Sequence, residues 1–322
     1  MDPGSFQFHR SRRGCERSLQ ASESVLNLRG MGVNRHSLEA VRTVSVDGGC
    51  IELRCYQPHA VDAADRIPLL ITHGGPGGSS VGLYDALHPL ADQRPTIFYD
   101  QLGSFSSHAD LLPEQMTLKR FATEPRCILD QLGIARAHVF GHSWGGAVMT
   151  QFCLNHPDRV AALLLSSPLL STKRWIADCN QLINNIQREL GESVDLESEF
   201  ERRHFCRSDQ ASDQEAVRCE RQRGNNKLYQ QMWGPSEFQH QGRLSDLDLF
   251  PSFQNVSKPT LLICGEYDTA TPQTLEDARS RLGDRSRLEV LKDAGHKTYI
   301  DRNLTFIAVV NDFLDQLDES AG

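Results

Sequence analysis

No stretch of this chain approaches the roughly 18 consecutive apolar residues of a membrane-spanning helix. The longest apolar runs are short, such as Ala161-Ala-Leu-Leu-Leu165. A surplus of positive charge is also missing. The 34 Lys and Arg against 42 Asp and Glu leave a net charge of -8, which argues against nucleic acid as a partner because that role favours clustered basic residues. Paired cysteine spacing is lacking too: the 9 cysteines are odd in number and scattered. Cys127, Cys153 and Cys264 fall in stretches that read as core helix or strand, so reduced thiols in a cytosol are expected rather than a disulfide framework. No His or Cys spacing suggests convergent metal ligands, and neither a metal nor an organic cofactor is expected. No internal repeat is evident. The arginine-dotted stretch up to about Gly30 is followed by no apolar h-region, which argues against a secretory signal. Asp2, Glu16 and Glu23 weaken a transit peptide, so residues 1–36 read as a disordered tail or start-site sequence ahead of Met31.

What remains is the composition of a soluble enzyme, 322 residues with 39% hydrophobic content, long enough to bury a substantial core. Val41 to Val46 and Cys50 to Tyr56 alternate at period two around Asp47-Gly48-Gly49, predicting an opening β-hairpin. Strand-like runs then alternate with helical sequence: Pro68 to Thr72, Thr96 to Tyr99, Ala137 to Phe140, Ala162 to Ser166, Pro259 to Cys264 and Leu288 to Leu291. That order implies βαβ units and a mostly parallel sheet flanked by helices. Between Ser167-Pro168 and Lys258-Pro259 the strand signal gives way to charged helical sequence, such as Leu182 to Leu190 and Glu199 to Phe205. A structureless loop of that size is improbable in a compact domain, so an inserted helical cap is expected. The expected division is a core of residues 37–168 and 257–322 with a cap of residues 169–256.

Four segments carry chemistry. Gly141-His142-Ser143-Trp144-Gly145 stands between a predicted strand and a predicted helix, the context in which G-x-S-x-G forms a nucleophile elbow and Ser143 becomes the candidate nucleophile. His73-Gly-Gly-Pro-Gly-Gly78 follows a strand, and its glycines allow backbone N–H groups to approach a ligand as an oxyanion hole requires. Asp268 lies just past the strand ending at Cys264, a position that also fits a cap for a helix starting near Thr271-Pro272. His296 follows the strand at Leu288 and precedes a helix whose stripe is Phe306, Val309, Val310, Phe313 and Leu314. Among 12 histidines, order selects His296, because Ser143, Asp268 and His296 follow the chain order of an α/β-hydrolase triad. A serine hydroxyl is a poor nucleophile until an imidazole takes its proton and a carboxylate fixes the imidazole's tautomer. His73 and His142 are expected to hydrogen-bond within the loops that shape the oxyanion hole.

From about Val41 to its end the chain resembles the prolyl iminopeptidase family of α/β-hydrolases, serine exopeptidases with a helical cap. The resemblance rests on His73-Gly-Gly-Pro-Gly77, Tyr99-Asp-Gln-Leu-Gly103, Gly141-His-Ser-Trp-Gly-Gly146, Gly265-Glu-Tyr-Asp268 and Gly295-His296. It implies an α/β-hydrolase fold with an inserted cap, a triad of Ser143, Asp268 and His296, and an oxyanion hole formed by the backbone N–H groups of Gly75 and Trp144. It also implies that Glu237, in Trp233-Gly-Pro-Ser-Glu-Phe238, holds the substrate's free amino terminus. Gly74 and Trp144 are expected beside the substrate, the Trp144 ring either lining the acyl pocket or packing without substrate contact. Two departures bear on proline specificity. Thr269 follows Asp268 where some relatives carry a second acid, and Phe105 stands where a glycine is common, in a position Phe cannot fill at positive φ without strain. The expected activity is release of an N-terminal residue, proline or a small apolar one, from short peptides or amino-acid amides. An ester or amide hydrolase of the same fold acting on a substrate without a free amine is the alternative, with a ligand-binding pseudoenzyme behind it. Dehalogenase and epoxide-hydrolase chemistry is disfavoured because it uses a carboxylate at the elbow. The expected partner is a small peptide or amide substrate, with neither nucleic acid nor membrane.

Overall fold

Asp47 and Gly48, with Gly48 at φ 93°, join β1 (Ser37–Val46) to β2 (Gly49–Gln57) in a two-residue hairpin that pairs Val46 with Gly49. The computed structural model describes residues 37–107, 109, 111–191 and 194–320, so the tail expected over residues 1–36 lies outside the described residues. Six further strands follow: β3 (Leu69–Thr72), β4 (Thr96–Tyr99), β5 (Ala137–His142), β6 (Val160–Ser166), β7 (Thr260–Gly265) and β8 (Ser286–Leu291). They form one sheet in the order β1-β2-β4-β3-β5-β6-β7-β8. The pairings of β2 with β1 and β4 are antiparallel, and every other pairing is parallel.

The central strands are apolar at consecutive positions because both of their faces are covered. Period-two alternation divides them between two cores. Leu70, Val139, Leu163, Leu165 and Leu262 face one side with Trp144, Phe121 and Phe152. Leu69, Ile71, Phe140, Leu164, Leu261 and Ile263 face the other. That second face is covered by the C-terminal helix, Asn303–Glu319, through Phe306, Val310, Phe313 and Leu314, with Val309 half-buried at the edge of the stripe.

Between β6 and β7 the chain leaves the sheet and runs as helices over Thr172–Leu190, Leu196–Phe200, Ala211–Gln222 and Asn226–Met232. The first places Thr172, Trp175, Cys179 and Ile186 on a buried stripe, with Leu182 and Ile183 packed beside them, the spacing of an amphipathic helix seated on a core. The second runs directly into a wider turn, Glu201–Phe205. Cys127, Cys153 and Cys264 are free thiols, and among the described residues no helix is long and apolar enough to cross a membrane. Because β3, β5, β6, β7 and β8 are parallel, the loops leaving their carboxyl ends share one edge of the sheet, where open α/β folds gather their ligands.

Candidate active site

Ser143 is held at φ 53° and ψ -120° between the end of β5 and the helix Trp144–Asn155. Such a conformation costs on the order of 1–3 kcal/mol in a non-glycine residue and persists only when its surroundings dictate it. Here the Ser143 N–H donates to Ser166 O at 2.9 Å, and the Ser143 carbonyl accepts from Gly146 and Leu169 N–H at 2.9 and 3.0 Å. The flanking glycines are required by close approach. A Cβ on Gly141 would lie 2.2 Å from Gly145 O, and one on Gly145 would lie 2.5 Å from His73 O.

Asp268 and His296 arrive from the loops after β7 and β8, and His296 Nδ1 lies 3.0 Å from Asp268 Oδ1. Their side chains are 0% and 3% exposed, respectively. The carboxylate is fully employed: Oδ1 also accepts from Ala270 N–H at 2.9 Å, while Oδ2 accepts from Gly265 N–H at 3.1 Å and from the Ser167 hydroxyl at 2.5 Å. Bonding to Asp268 places the ring proton on Nδ1 and leaves Nε2 with a free lone pair. Thr269, at the position of the missing second acid, brings its hydroxyl to 3.2 Å from His296 Nδ1. Ser143 and His296 line the same cavity, and among the described residues the Ser143 hydroxyl makes no hydrogen bond. No hydrogen bond joins hydroxyl to imidazole here, and catalytic hydrogen bonds of this kind commonly tighten only in the substrate complex.

The glycine-rich loop after β3 is fastened by the Tyr99-Asp-Gln segment. His73 donates from Nδ1 to Gly74 O at 2.7 Å and accepts at Nε2 from Gln101 N–H at 3.0 Å. Burial holds its pKa below the usual imidazole value, against the pull of Asp100, which suits this neutral donor-acceptor role. The Gln101 amide donates to Thr72 Oγ1 and His73 O, and its oxygen accepts from Trp144 Nε1 at 2.8 Å, tying loop to elbow. His142 hydrogen-bonds Ser166 Oγ at 3.3 Å and packs at a tilt against His296, with ring centroids 4.7 Å apart. Gly75, at φ 114°, admits no side chain, since a Cβ would meet Gly78 N at 2.6 Å. Gly74 lies directly over the elbow, where a Cβ would come within 3.0 Å of Ser143 Cβ. The backbone N–H groups of Gly75 and Trp144 have no acceptor among the described residues.

Of the two places expected for the Trp144 ring, the structure has the packed one. Its indole is fully buried, packs edge-on against Phe121 at 5.8 Å and does not line the cavity, because Gln101 and the core draw the ring away from the substrate side. Phe105 avoids the strain feared for it: it is not among the positive-φ residues, and its ring lies under the Arg223 guanidinium at 5.3 Å.

The cavity measures about 540 Å³ and joins Gly74, Gly75, Ser143 and His296 to Trp175, Phe200, Phe205, Tyr229, Trp233 and Glu237 from the insertion. Among its four acids Glu197 is exposed to solvent, while two are paired with cations, Glu201 with Arg221 at 2.8 Å and Glu220 with Lys297 at 2.6 Å. Glu237 is not. It accepts from the Tyr229 hydroxyl at 2.6 Å, and among the described residues no cation lies within ion-pair distance of it. Burial raises its pKa, against the Tyr229 hydrogen bond and the charges of His296 and Arg221. Sequence reasoning missed Glu201, Glu220 and Arg221, whose spacing looks like any solvated helical face, Lys297, in the loop beside His296, and Ser167, an unremarked serine just past β6. Among the described residues no group of three or more His, Cys, Asp or Glu could hold a metal ion.

A family model described as the alpha/beta hydrolase fold matches residues 67–303. A proline iminopeptidase of Heyndrickxia coagulans is 32% identical over 288 residues, spanning 85% of this chain and 98% of its own length. One from Lactobacillus helveticus is 28% identical over 275 residues, spanning 80% and 93%. Among solved structures, proline iminopeptidase of Mycobacterium smegmatis matches with a TM-score of 0.77 at 28% identity, over 88% of this chain and all of that one.

Proposed function

From the premise that the chain belongs to the prolyl iminopeptidase family of α/β-hydrolases, we propose that this hydrolase releases an N-terminal residue, proline or a small apolar one, from short peptides or amino-acid amides. The observation that carries the reading is Glu237, a carboxyl with no cation partner among the described residues, in the same cavity as Ser143. An ammonium brought under the insertion needs an anion there; Glu201 and Glu220 are already paired, and Glu197 is exposed to solvent.

In this mechanism His296 Nε2 takes the Ser143 proton as the hydroxyl oxygen attacks the scissile carbonyl carbon. Asp268 keeps the ring in the required tautomer and stabilises the imidazolium that forms. The carbonyl oxygen, now negative, is received by the N–H groups of Gly75 and Trp144, each donor lowering the barrier by roughly 3 kcal/mol. His296 returns the proton to the leaving amine, and the C–N bond breaks to leave an acyl-enzyme. Water, deprotonated in turn by His296, then frees the acid. Ser143→Ala is expected to reduce turnover of prolyl and alanyl arylamides by a factor on the order of 10⁴ or more, and retention of more than a few per cent activity rejects the assignment.

A second reading, hydrolysis of an ester or amide without a free amine, draws support from Thr269 in place of a second acid and from the raised pKa of Glu237, which favours a neutral carboxyl. Comparing a free-amine arylamide with its N-acetylated twin separates the two. Equal kcat/KM for both abandons the exopeptidase reading.

A further inference from the structure

The loop that carries His296 is fastened to the insertion as well as to the sheet. His296 N–H donates to His204 O and Lys297 N–H to Phe205 O, both at 2.8 Å. The apposition is close enough that a Cβ on Gly295 would come within 2.9 Å of the His204 carbonyl. His204 in turn donates from Nδ1 to Tyr267 O at 2.7 Å, in the loop of the candidate acid Asp268. The rings of Phe205 and Trp175, both from the insertion, lie 5.0 and 5.2 Å from the His296 ring. The placement of this imidazole thus depends on a segment that enters the fold some ninety residues earlier.

One side chain closes that arrangement. Asp301 Oδ1 accepts from Arg207 N–H at 2.8 Å and Ser208 N–H at 2.9 Å, with Cys206 Sγ at 3.5 Å, while its Oδ2 accepts from Gly295 N–H at 2.8 Å. One oxygen therefore serves the insertion and the other the residue immediately before His296. We propose that Asp301 is a positioning residue whose carboxylate clamps Cys206–Ser208 of the insertion to Gly295 and thereby fixes the backbone from which His296 reaches Ser143. The inference rests on the assignment of His296 as the base.

Three backbone N–H groups converge on one carboxylate, and such charge-assisted bonds are stronger and shorter than neutral ones. Alanine leaves all three without that acceptor. Asparagine can keep its oxygen towards Arg207 and Ser208, but its amide then sets a donor against the Gly295 N–H, so the disturbance falls next to His296. A displacement of about 1 Å in a reacting group costs on the order of 10²-fold in rate.

The test uses the full chain with Asp301→Asn and Asp301→Ala, measuring the rate of Ser143 labelling by a fluorophosphonate and kcat and KM for a prolyl arylamide, all per folded molecule by circular dichroism. Labelling depends on the hydroxyl and imidazole and not on amine recognition. For folded Asp301→Asn, labelling and kcat are expected to fall by about 30- to 100-fold with KM nearly unchanged. Asp301→Ala is expected to lose more. Labelling of folded Asp301→Asn within about threefold of the unaltered protein overturns the proposal, as does failure of both variants to fold, which assigns Asp301 to stability alone. Unaltered protein that labels yet turns over no prolyl arylamide rejects the substrate reading and leaves the clamp standing.

Discussion

Replacing Glu237 by Gln removes the carboxyl's capacity to carry a charge while keeping an oxygen for the Tyr229 hydroxyl, so it tests amine recognition with little change of shape. Truncating one partner of a buried charge pair costs about 2–5 kcal/mol, and about 1.4 kcal/mol is a factor of ten. That range spans roughly 30-fold to several thousand-fold in kcat/KM. Glu237 is only half-buried by exposure because it faces the cavity, and screening there places the expected loss near the lower end, about 30- to 100-fold. The pH dependence adds a second signature. Burial holds the Glu237 carboxyl above its usual value, so the anion that attracts an ammonium exists only above that raised value. Activity on a free-amine substrate should be present above it and lost as pH falls through it. In Glu237→Gln that limb disappears, and an N-acetylated substrate should not show it in either protein. The assay is kcat/KM against pH for prolyl arylamide and its N-acetyl twin. A loss below about threefold on the free amine, or equal losses on both substrates, would refute the reasoning.

Two other substitutions probe what supports the site. Ser167→Ala removes a buried hydroxyl that donates to Asp268 Oδ2 at 2.5 Å, and a hydrogen bond to a charged group contributes about 1.5–3 kcal/mol. Chemical denaturation should show a loss of that size, and an unchanged midpoint would mean the bond is dispensable. Phe306→Ala empties a fully buried position that packs edge-on against Phe140 at 6.1 Å, with an expected cost of about 3–5 kcal/mol. Its activity per folded molecule should be unchanged, since Phe306 lies outside the cavity, and a parallel fall in kcat would contradict the separation of core from site.

The elements were legible wherever the information was local. Strand β4 is Thr96–Tyr99 as its apolar run predicts, and the glycines around Ser143 announce the turn that their close contacts require. The alternation that divides Phe140 from Val139 between two cores is likewise present in the chain itself. The Trp144 ring was not legible. Its direction depends on Gln101, which lies 43 positions away in the chain and offers its oxygen only once β4 and β5 flank β3. Glu199 to Phe205 read as one helix with a solvated face, whereas Phe200, His204 and Cys206 are buried, and the chain widens into a π turn at Glu201–Phe205 where it meets the His296 loop.

By itself the sequence determined the order of strands and helices, the sharp turn at Ser143 and the succession of hydroxyl, carboxylate and imidazole, because each is written in neighbouring residues through backbone sterics and period. Only the tertiary structure decided which acids of the insertion are neutralised by Arg221 and Lys297, with no cation beside Glu237 among the described residues, and that Asp301 would gather N–H groups from two separate loops. Those outcomes depend on which charges and donors meet across long separations, and side-chain pairing at a distance has no periodicity for the chain to display.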